Sequence, residues 1–570
     1  MAEKQWMIYT KRADFDRIAA RFSVSPVTAR IIVNRGVPEE EIGTYLNGTL
    51  SDLYSPHLMK DMDKAADILI RKIAEGKKIR VIGDYDIDGI CSTFILITAL
   101  KKTGADVSYD IPDRIKDGYG LNANIIEKAR SEGTDTIVTC DNGIGAGQEI
   151  EDAEKSGMTV VVTDHHEVYK NADGSDSIPQ AHAVIDPKQQ ACAYPFREIC
   201  GAVVALKLVQ VLYERKGIPD AWRELLPFAA IATVGDVVRL QSENRIIVKY
   251  GLKEIADTKN TGLLKLIERC ELNAASISAY QIGFVIGPCL NAGGRLESAK
   301  VALRMLLEQD PEKAAVLAGH LKELNDERKE MTADGFLEAE KQVNEKYASD
   351  KVLVVFLPEC HESVAGIIAG RLREAFYRPS IVLTNSSSEE YLKGSGRSIE
   401  GYHMFKALEE VSDLFIRYGG HPMAAGMTLE RKNEDILRKR LNENAVLSEE
   451  DLREKLWIDA AVPFSFLSEP FIRELSLLEP YGQGNEKPVF ARKDIRIESL
   501  RILGRERNVV KMALRSPEGT PMEGIIFTDG ETFLNEQDGR KKFDILYYPS
   551  VNEYMGRNTI QAVIKGWKFV

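Results

Sequence analysis

The chain has 570 residues, 44% of them hydrophobic and 28% charged, which is enough material for several domains with cores of their own. No apolar run approaches the ~18 residues of a membrane-spanning helix, the charged start MAEKQWMIYTKRADFDR lacks the apolar centre of a signal peptide, and seven cysteines without a CxxC pair argue against a disulfide framework and against a thiolate zinc site. A net charge of −12 argues against a nonspecific polyanion binder but leaves room for a nucleic-acid enzyme with a local basic groove, and without an export signal the cytoplasm is the expected compartment.

Residues 1–60 read as a helical lead-in punctuated by Pro26, Pro38 and Pro56. From residue 61 to about 255 the pattern alternates. Helix-like Lys64–Glu75 precedes a strand over 79–83, and helix 92–103, strand 107–111, helix 124–132, strand 136–140, helix 146–155, strand 158–163 and a short strand 183–186 follow. Such alternation predicts a parallel sheet covered by helices, and its near-continuous apolar strands fit burial on both faces. Residues 256–348 read as a helical connector, with one long charged helix over His320–Tyr347. A strand over 351–357 opens a second α/β unit, assigned to 349–430, and 430–454 is charged and helical without a packing signal of its own. Over 455–570, short strands at regular spacing predict a small β-barrel or sandwich.

The chemistry sits where strands end. Asp84, Asp86 and Asp88 follow the first strand in DYDIDG, Asp141 follows the third in DNG, and Asp164-His165-His166 follow the fourth. D-x-D-x-D-G also opens a calcium-binding EF-hand loop, but that loop needs Glu at its twelfth position, where this chain has Ile95, and a helix upstream, where it has a strand. The better reading turns the carboxylates into the crevice beyond the carboxyl end of the sheet, where open α/β folds bind ligands. Imidazole is a good metal ligand, and a neighbouring carboxylate fixes its tautomer. Asp236, an acid inside the apolar AIATVGDVVRL, needs either a salt bridge to Arg239 or Arg245 or a place among the metal ligands. Four Asp with one His form an oxygen-dominated set that favours Mn²⁺ or Mg²⁺ over zinc, and two such ions ~4 Å apart suit phosphodiester hydrolysis.

A second group of motifs is rich in glycine and cations: IGPCLNAGGRLE at 286–297, KGSGRSI at 393–399 and RYGGHPMAAGMT at 417–428. Their glycines allow backbone N–H groups close to phosphate, and Arg295, Arg397 and His421 supply charge-assisted hydrogen bonds. PDR with GYG, at 112–114 and 118–120, adds Arg114 and the stackable ring of Tyr119.

In this order, VIGDYDIDG, TCDNGI, VVTDHH, TVGDVVRLQSENR, GPCLNAGGRL, GSGRSI, GGHPMAAG and LEPYGQGNEKPVF resemble the DHH phosphoesterase superfamily and, within it, the RecJ single-strand-specific exonucleases, from about residue 60 to the end. The resemblance implies a multi-domain α/β chain: a DHH parallel-sheet catalytic domain, a long connector helix, a DHHA1 α/β domain and a C-terminal β-barrel of OB-fold type. It implies 5′→3′ degradation of single-stranded DNA to mononucleotides with a pair of Mn²⁺ or Mg²⁺ ions. By motif, Asp84, Asp86, Asp141, His165 and Asp236 resemble the metal ligands, His166 the phosphate-facing partner, and Asp88 and Asp164 their support. Arg114, Tyr119, Asn291, Arg295, Ser395, Arg397 and His421 resemble residues that hold the strand. One departure is Cys289, where the family usually has an Arg that helps bind the 5′-phosphate, which leaves that grip to Arg295 or a lysine.

The reading is therefore a metal-dependent single-strand exonuclease acting in DNA repair or recombination. A monomer is expected, with a single-stranded-DNA-binding protein or a helicase as partners and no membrane. Without the additional domain of some relatives, a partner-docking function is not expected. The alternatives are a phosphodiesterase for short oligonucleotides or cyclic dinucleotides, and a non-catalytic replication-complex protein.

Overall fold

The chain opens on a strand where a helical lead-in was expected. In the computed structural model, β1 (Gln5–Ile8) pairs in parallel with the distant segment Lys455–Ile458. The structure describes residues 4–570 apart from 115, 116, 119, 387, 555 and 556. Helices Phe15–Phe22, Pro26–Asn34 and Ile42–Asn47 follow. Ser25 caps the second of these, with proline in its first turn. Ile18, Ile31, Ile32, Ile42 and Leu46 are all buried. They share one core with Phe464, Phe490, Leu514 and Tyr547 of the C-terminal barrel.

The first large unit is the expected doubly covered sheet. Strands β2 (Lys78–Ile82), β3 (Asp106–Asp110), β4 (Thr136–Cys140), β5 (Thr159–Thr163) and β6 (Ala183–Ile185) are all parallel, in the order β3-β2-β4-β5-β6. Every residue of β4 and β5 is buried. Helices Ile87–Lys102, Gly201–Arg215 and Leu226–Gly235 build the core on one face, and Ala123–Ser131 and Gly147–Lys155 the core on the other. Each strand ends in, or runs into, an aspartate on the same edge of the sheet: Asp84, Asp110, Asp141, Asp164 and Asp186.

The connector helix spans Pro311–Gln342, starting a little before the expected His320, because Asp310 caps it and Pro311 presets its first turn. A π-helical turn, Val343–Tyr347, closes it. The second unit holds β7 (Leu353–Phe356), β8 (Ser380–Asn385), β9 (Tyr391–Arg397), β10 (Phe415–His421) and β11 (Ala424–Glu430), in the order β10-β11-β9-β8-β7. Only β7 and β8 pair in parallel. The segment expected to lack packing contains a helix, Glu434–Asn444, whose Leu437 and Leu441 are buried in this unit's core. One apolar pair four residues apart among charges is too narrow a stripe to read from sequence.

The chain ends in a closed barrel. Strand β12 (Lys455–Ile458) pairs with β1, and the short β13 (Ala460–Ala461) joins the edge of β14. Then β14 (Phe490–Leu503), β15 (Val509–Arg515), β16 (Pro521–Phe527), β17 (Lys542–Tyr554) and β18 (Arg557–Phe569) run in the order β14-β15-β16-β18-β17, and β17 returns to pair with β14. Among the described residues, no helix is long and apolar enough to cross a membrane.

Candidate active site

The turn after β2 shows why glycine follows the three acids. Asp86 caps the helix Ile87–Lys102 by accepting hydrogen bonds from the N–H groups of Asp88 (3.0 Å) and Gly89 (3.1 Å). A Cβ on Gly89 would lie 2.3 Å from the Asp84 carbonyl oxygen, so only glycine lets the helix press against the strand end. Asp84 accepts from Gly120 N (3.4 Å). One strand over, Asp141 has the left-handed φ of +61°, which aspartate tolerates better than most residues. Gly201, which opens the helix Gly201–Arg215, passes so close that a Cβ there would sit 2.8 Å from the Asp141 Cβ.

These turns converge. Ligand atoms of Asp84, Asp86 and Asp141 lie within 4.8 Å of one another, as do those of Asp141, His165 and His166, and those of Asp88, His165 and Asp236. His165 Nε2 stands 3.0 Å from Asp141 Oδ1, 3.4 Å from Asp88 Oδ2 and 3.9 Å from Asp236 Oδ2. The salt-bridge alternative for Asp236 does not hold for Arg245, which is buried and donates to the carbonyls of Tyr45, Leu477 and Leu478. Asp164 supports both histidines. Its carboxylate accepts from the N–H groups of Ile144 (2.9 Å) and His165 (2.7 Å), and lies 2.7 Å from His166 Nδ1.

The electrostatics are those of a cation site. Burial, followed by neighbouring carboxylates, pushes Asp84, Asp86, Asp141 and Asp236 above the usual carboxylate range. Asp164 is held below it, because its bonds to His166 outweigh burial. Burial lowers His165, which favours the neutral imidazole a metal requires. Burial also opposes the His166 imidazolium, but the Asp164 hydrogen bond, with Asp164, Asp236 and Asp88 nearby, lifts it to about 9. So many crowded acids beside one neutral imidazole fit divalent cations with oxygen ligands.

A cavity of about 660 Å³ opens on this cluster, lined by His165, His166, Gly120, Gly143, Lys188 and, from the second unit, His421. The expected strand-holding residues gather next to it. Arg295 donates to Ser363 O (2.9 Å), and its pKa falls to about 10 through burial and the nearby Arg114, Arg328 and Arg397. Arg397 donates to Ser395 Oγ (3.3 Å) and Gly396 O (2.8 Å). Arg114 lies over the Tyr85 ring, 5.0 Å from its centre. Gly366 lets its helix approach this group, since a Cβ there would meet Ser395 Oγ at 2.7 Å. Asn291 is half-buried on the same helix as Arg295. Tyr119 lies outside the described residues.

Several residues were given no role from the sequence. Lys188 lines the cavity, and buried Asp186, beside Asp164, is raised to about 8, first by burial. Arg328 and Arg373 join the guanidinium group. VIDPK carried a readable signal for the first two, an acid at a strand end, whereas Arg328 sits in a helix so charged that no single residue stands out. Cys289 is fully buried, its Sγ 3.8 Å from that of Cys270, with Arg328 within electrostatic reach. A cation from the connector helix therefore stands near the position where the family usually has Arg.

Family models match three segments: the N-terminal domain of the DHH family over residues 78–233, a DHHA1 domain over 349–446 and the RecJ OB domain over 458–566. The single-stranded-DNA-specific exonuclease RecJ of Bacillus subtilis is 35% identical over 570 residues, covering 99% of this chain and 71% of that protein. The chain belongs to the RecJ family. A crystal structure of RecJ in complex with Mn²⁺ from Thermus thermophilus matches with a TM-score of 0.83 at 29% identity, covering 99% of this chain and 79% of that one. The complex of RecJ with Mg²⁺ from the same organism matches at 0.78, with 28% identity over 99% and 78% of the two chains. The RecJ architecture of DHH sheet, long helix, DHHA1 unit and barrel is the one described above.

Proposed function

We propose that this chain is a single-stranded-DNA-specific exonuclease that hydrolyses phosphodiester bonds 5′→3′ and releases mononucleotides, using Mn²⁺ or Mg²⁺ held by Asp84, Asp86, Asp141, His165 and Asp236. The observation that carries the reading is Asp141: it belongs to two of the three adjacent ligand groups, and the arginine cluster around Arg295 stands within electrostatic reach of Asp86 in one of them. Bound there, the ions supply Lewis-acid charge for activating water and stabilising the leaving oxygen. Membership of the RecJ family and the likeness to its Mn²⁺ and Mg²⁺ complexes support both the activity and the ions.

The chain's own residues divide the work. Asp88 and Asp164 orient the ligands, and His166 faces the scissile phosphate with its Nδ1 committed to Asp164. Arg114, Arg295, Ser395, Arg397 and His421 grip the 5′ end, with Asn291 beside them, so that one nucleotide at a time reaches the ions. Selectivity for single strands comes from a cleft between the two α/β units too narrow for duplex, and the barrel feeds the strand. Within the same reading the protein is a cytoplasmic monomer that meets its substrate alongside a single-stranded-DNA-binding protein or a helicase.

Digestion of long end-labelled single strands, with and without a 5′-phosphate and under Mn²⁺ and Mg²⁺, tests this reading. It expects mononucleotides released from the 5′ end. Cutting confined to oligomers of a few residues would favour a small-substrate phosphodiesterase, and binding without cutting a non-catalytic protein.

A further inference from the structure

Two cysteines from separate helices meet beside the site. Cys270 ends the helix Thr261–Arg269, Cys289 lies in the first turn of Gly287–Leu296, and their sulfurs are 3.8 Å apart. Cys289 is fully buried and Cys270 half-buried, so a small solute reaches the pair through Cys270. Other thiols face groups that do not oxidise: Cys140 and Cys200 meet the hydroxyls of Thr93 (3.5 Å) and Thr233 (3.6 Å), and Cys360 donates to the His361 carbonyl (3.5 Å). The reading above gives neither Cys270 nor Cys289 a task.

The surroundings divide the two thiols by role. The hydrogen bond from Cys289 lowers the Cys270 thiol below its usual value against the opposing burial, and Lys322 and Lys329 of the connector helix add to the effect while Asp326 resists it. That aspartate is itself paired with both lysines. The same sulfur–sulfur bond, then burial, pushes Cys289 up. A reachable, acidified thiol next to a second thiol that resolves its oxidised form is the arrangement of redox-sensing cysteines. The second thiol sits on the helix of Asn291 and Arg295, which has little slack. A Cβ on Gly294 would lie 2.3 Å from the carbonyl oxygen of Tyr85, between Asp84 and Asp86, and one on Gly293 would lie 2.9 Å from Ser298 O. Arg295 ties the same helix to Ser363 O of the second unit (2.9 Å). Bonded sulfurs stand about 2 Å apart, so closing the pair draws the sulfurs ~1.8 Å nearer. The shift falls on the helix that holds the strand and on the turn of Asp84 and Asp86 against which it is wedged.

We propose that Cys270 and Cys289 form an oxidation site at which a hydroperoxide converts the two thiols to a disulfide, and that the disulfide slows cleavage by displacing the strand-holding helix. The slowing rests on the exonuclease reading, whereas the cross-link does not. The Cys270 thiolate attacks one peroxide oxygen, the O–O bond breaks, and a sulfenic acid and hydroxide form. The Cys289 sulfur then attacks the Cys270 sulfur, the S–O bond breaks, and the oxygen leaves as water with the Cys289 proton. In sum the two thiols lose two electrons and hydrogen peroxide becomes two waters. A dithiol reductant reverses the bond by thiolate attack.

The test treats the reduced chain with hydrogen peroxide, removes the peroxide, and then measures two things. Peptide mapping without reductant reports the cross-link, and cleavage of a 5′-phosphorylated oligothymidylate under Mn²⁺ reports the rate. The map should join Cys270 to Cys289, and the rate should fall ~10–100-fold, as a misplacement on the order of 1 Å does. Dithiothreitol should restore it. Cys270→Ser should keep the reduced chain's rate and thermal unfolding and lose its sensitivity to peroxide. Cys289→Ala should resist peroxide in the same way, while Cys360→Ser should stay sensitive. A map without the Cys270–Cys289 link, a rate unchanged once the link has formed, or an equal loss in Cys270→Ser overturns the redox site alone. Failure of the reduced chain to cut overturns the exonuclease reading and the slowing with it, and the map still decides whether the link forms.

Discussion

Asp88 accepts hydrogen bonds from Gly201 N (2.6 Å) and Ala202 N (2.7 Å) at the start of the helix Gly201–Arg215, so a buried carboxylate satisfies the unpaired donors of a helix N-terminus. Through this contact the helix fixes one edge of the ligand cluster, with Asp88 Oδ2 3.4 Å from His165 Nε2. Asp88→Asn keeps the shape but turns an amide toward backbone donors. Activity under saturating Mn²⁺ should fall ~10–100-fold, with weaker Mn²⁺ dependence of the same order. Steady-state rates across a Mn²⁺ titration check this, and unchanged rates would remove Asp88 from the site's support.

The arginine cluster repels itself. Arg295 is depressed to about 10, by burial first and then by Arg114, Arg328 and Arg397. An anion relieves that repulsion. Arg397→Ala should therefore reduce the preference for 5′-phosphorylated over 5′-hydroxyl strands by ~10–100-fold, the equivalent of one charge-assisted hydrogen bond. Arg328→Ala should have a smaller effect in the same direction, since Arg328 stands beside Cys289 with its Nε and Nη2 committed to Asn325 Oδ1 (3.2 and 3.0 Å). The ratio of kcat/KM for the two strands is the measurement.

Arg35 and Asp459 form a bidentate pair of 2.8 and 2.9 Å with side chains 3% and 1% exposed, tying the N-terminal helices to the entry of the barrel. Arg35→Met would leave Asp459 buried with only Asn34 and the N–H of Val489 as partners. Such an uncompensated charge costs about 3–5 kcal/mol. Urea unfolding should show the loss in the transition that reports the barrel.

Asp110, at the end of β3, is also nearly buried. Burial would raise its pKa, but Lys128 (2.7 Å) and Lys300 (2.5 Å) lower it below the usual value. A lowered carboxylate contributes stability above its unfolded pKa of ~3.9 and loses it as pH falls through the folded value. The stability difference between the wild type and Asp110→Asn should therefore be present at neutral pH and shrink below about pH 4. Urea midpoints at the two pH values decide it.

The site was legible where one local rule was enough. An apolar run ending in an acid marks a buried strand and its crevice end, which placed Asp84, Asp141 and Asp164 from the sequence alone. The βαβ alternation and the long charged connector helix were legible from local pattern too, and regular strand spacing at the C-terminus left a barrel or a sandwich open, with the barrel implied by the family resemblance. What stayed hidden depends on distant partners. The pairing of Gln5–Ile8 with Lys455–Ile458 leaves no periodicity that either segment shows alone. Arg328 and Arg373 look like solvated helix charges until the units meet. Leu437 and Leu441 are too few to stand out among the charges around them.

Catalysis at this cleft stands or falls with a pair of divalent cations held by crowded acids and one neutral histidine. Mn²⁺ binding followed by electron paramagnetic resonance, on the wild type and on Asp141→Asn, is the decisive measurement. Two magnetically coupled Mn²⁺ ions are expected in the wild type, and in the variant loss of the coupled signal together with at least a ~100-fold loss of nuclease activity. A wild type that binds no Mn²⁺, or a variant that keeps both the coupled signal and the activity, would refute the metal-centred site.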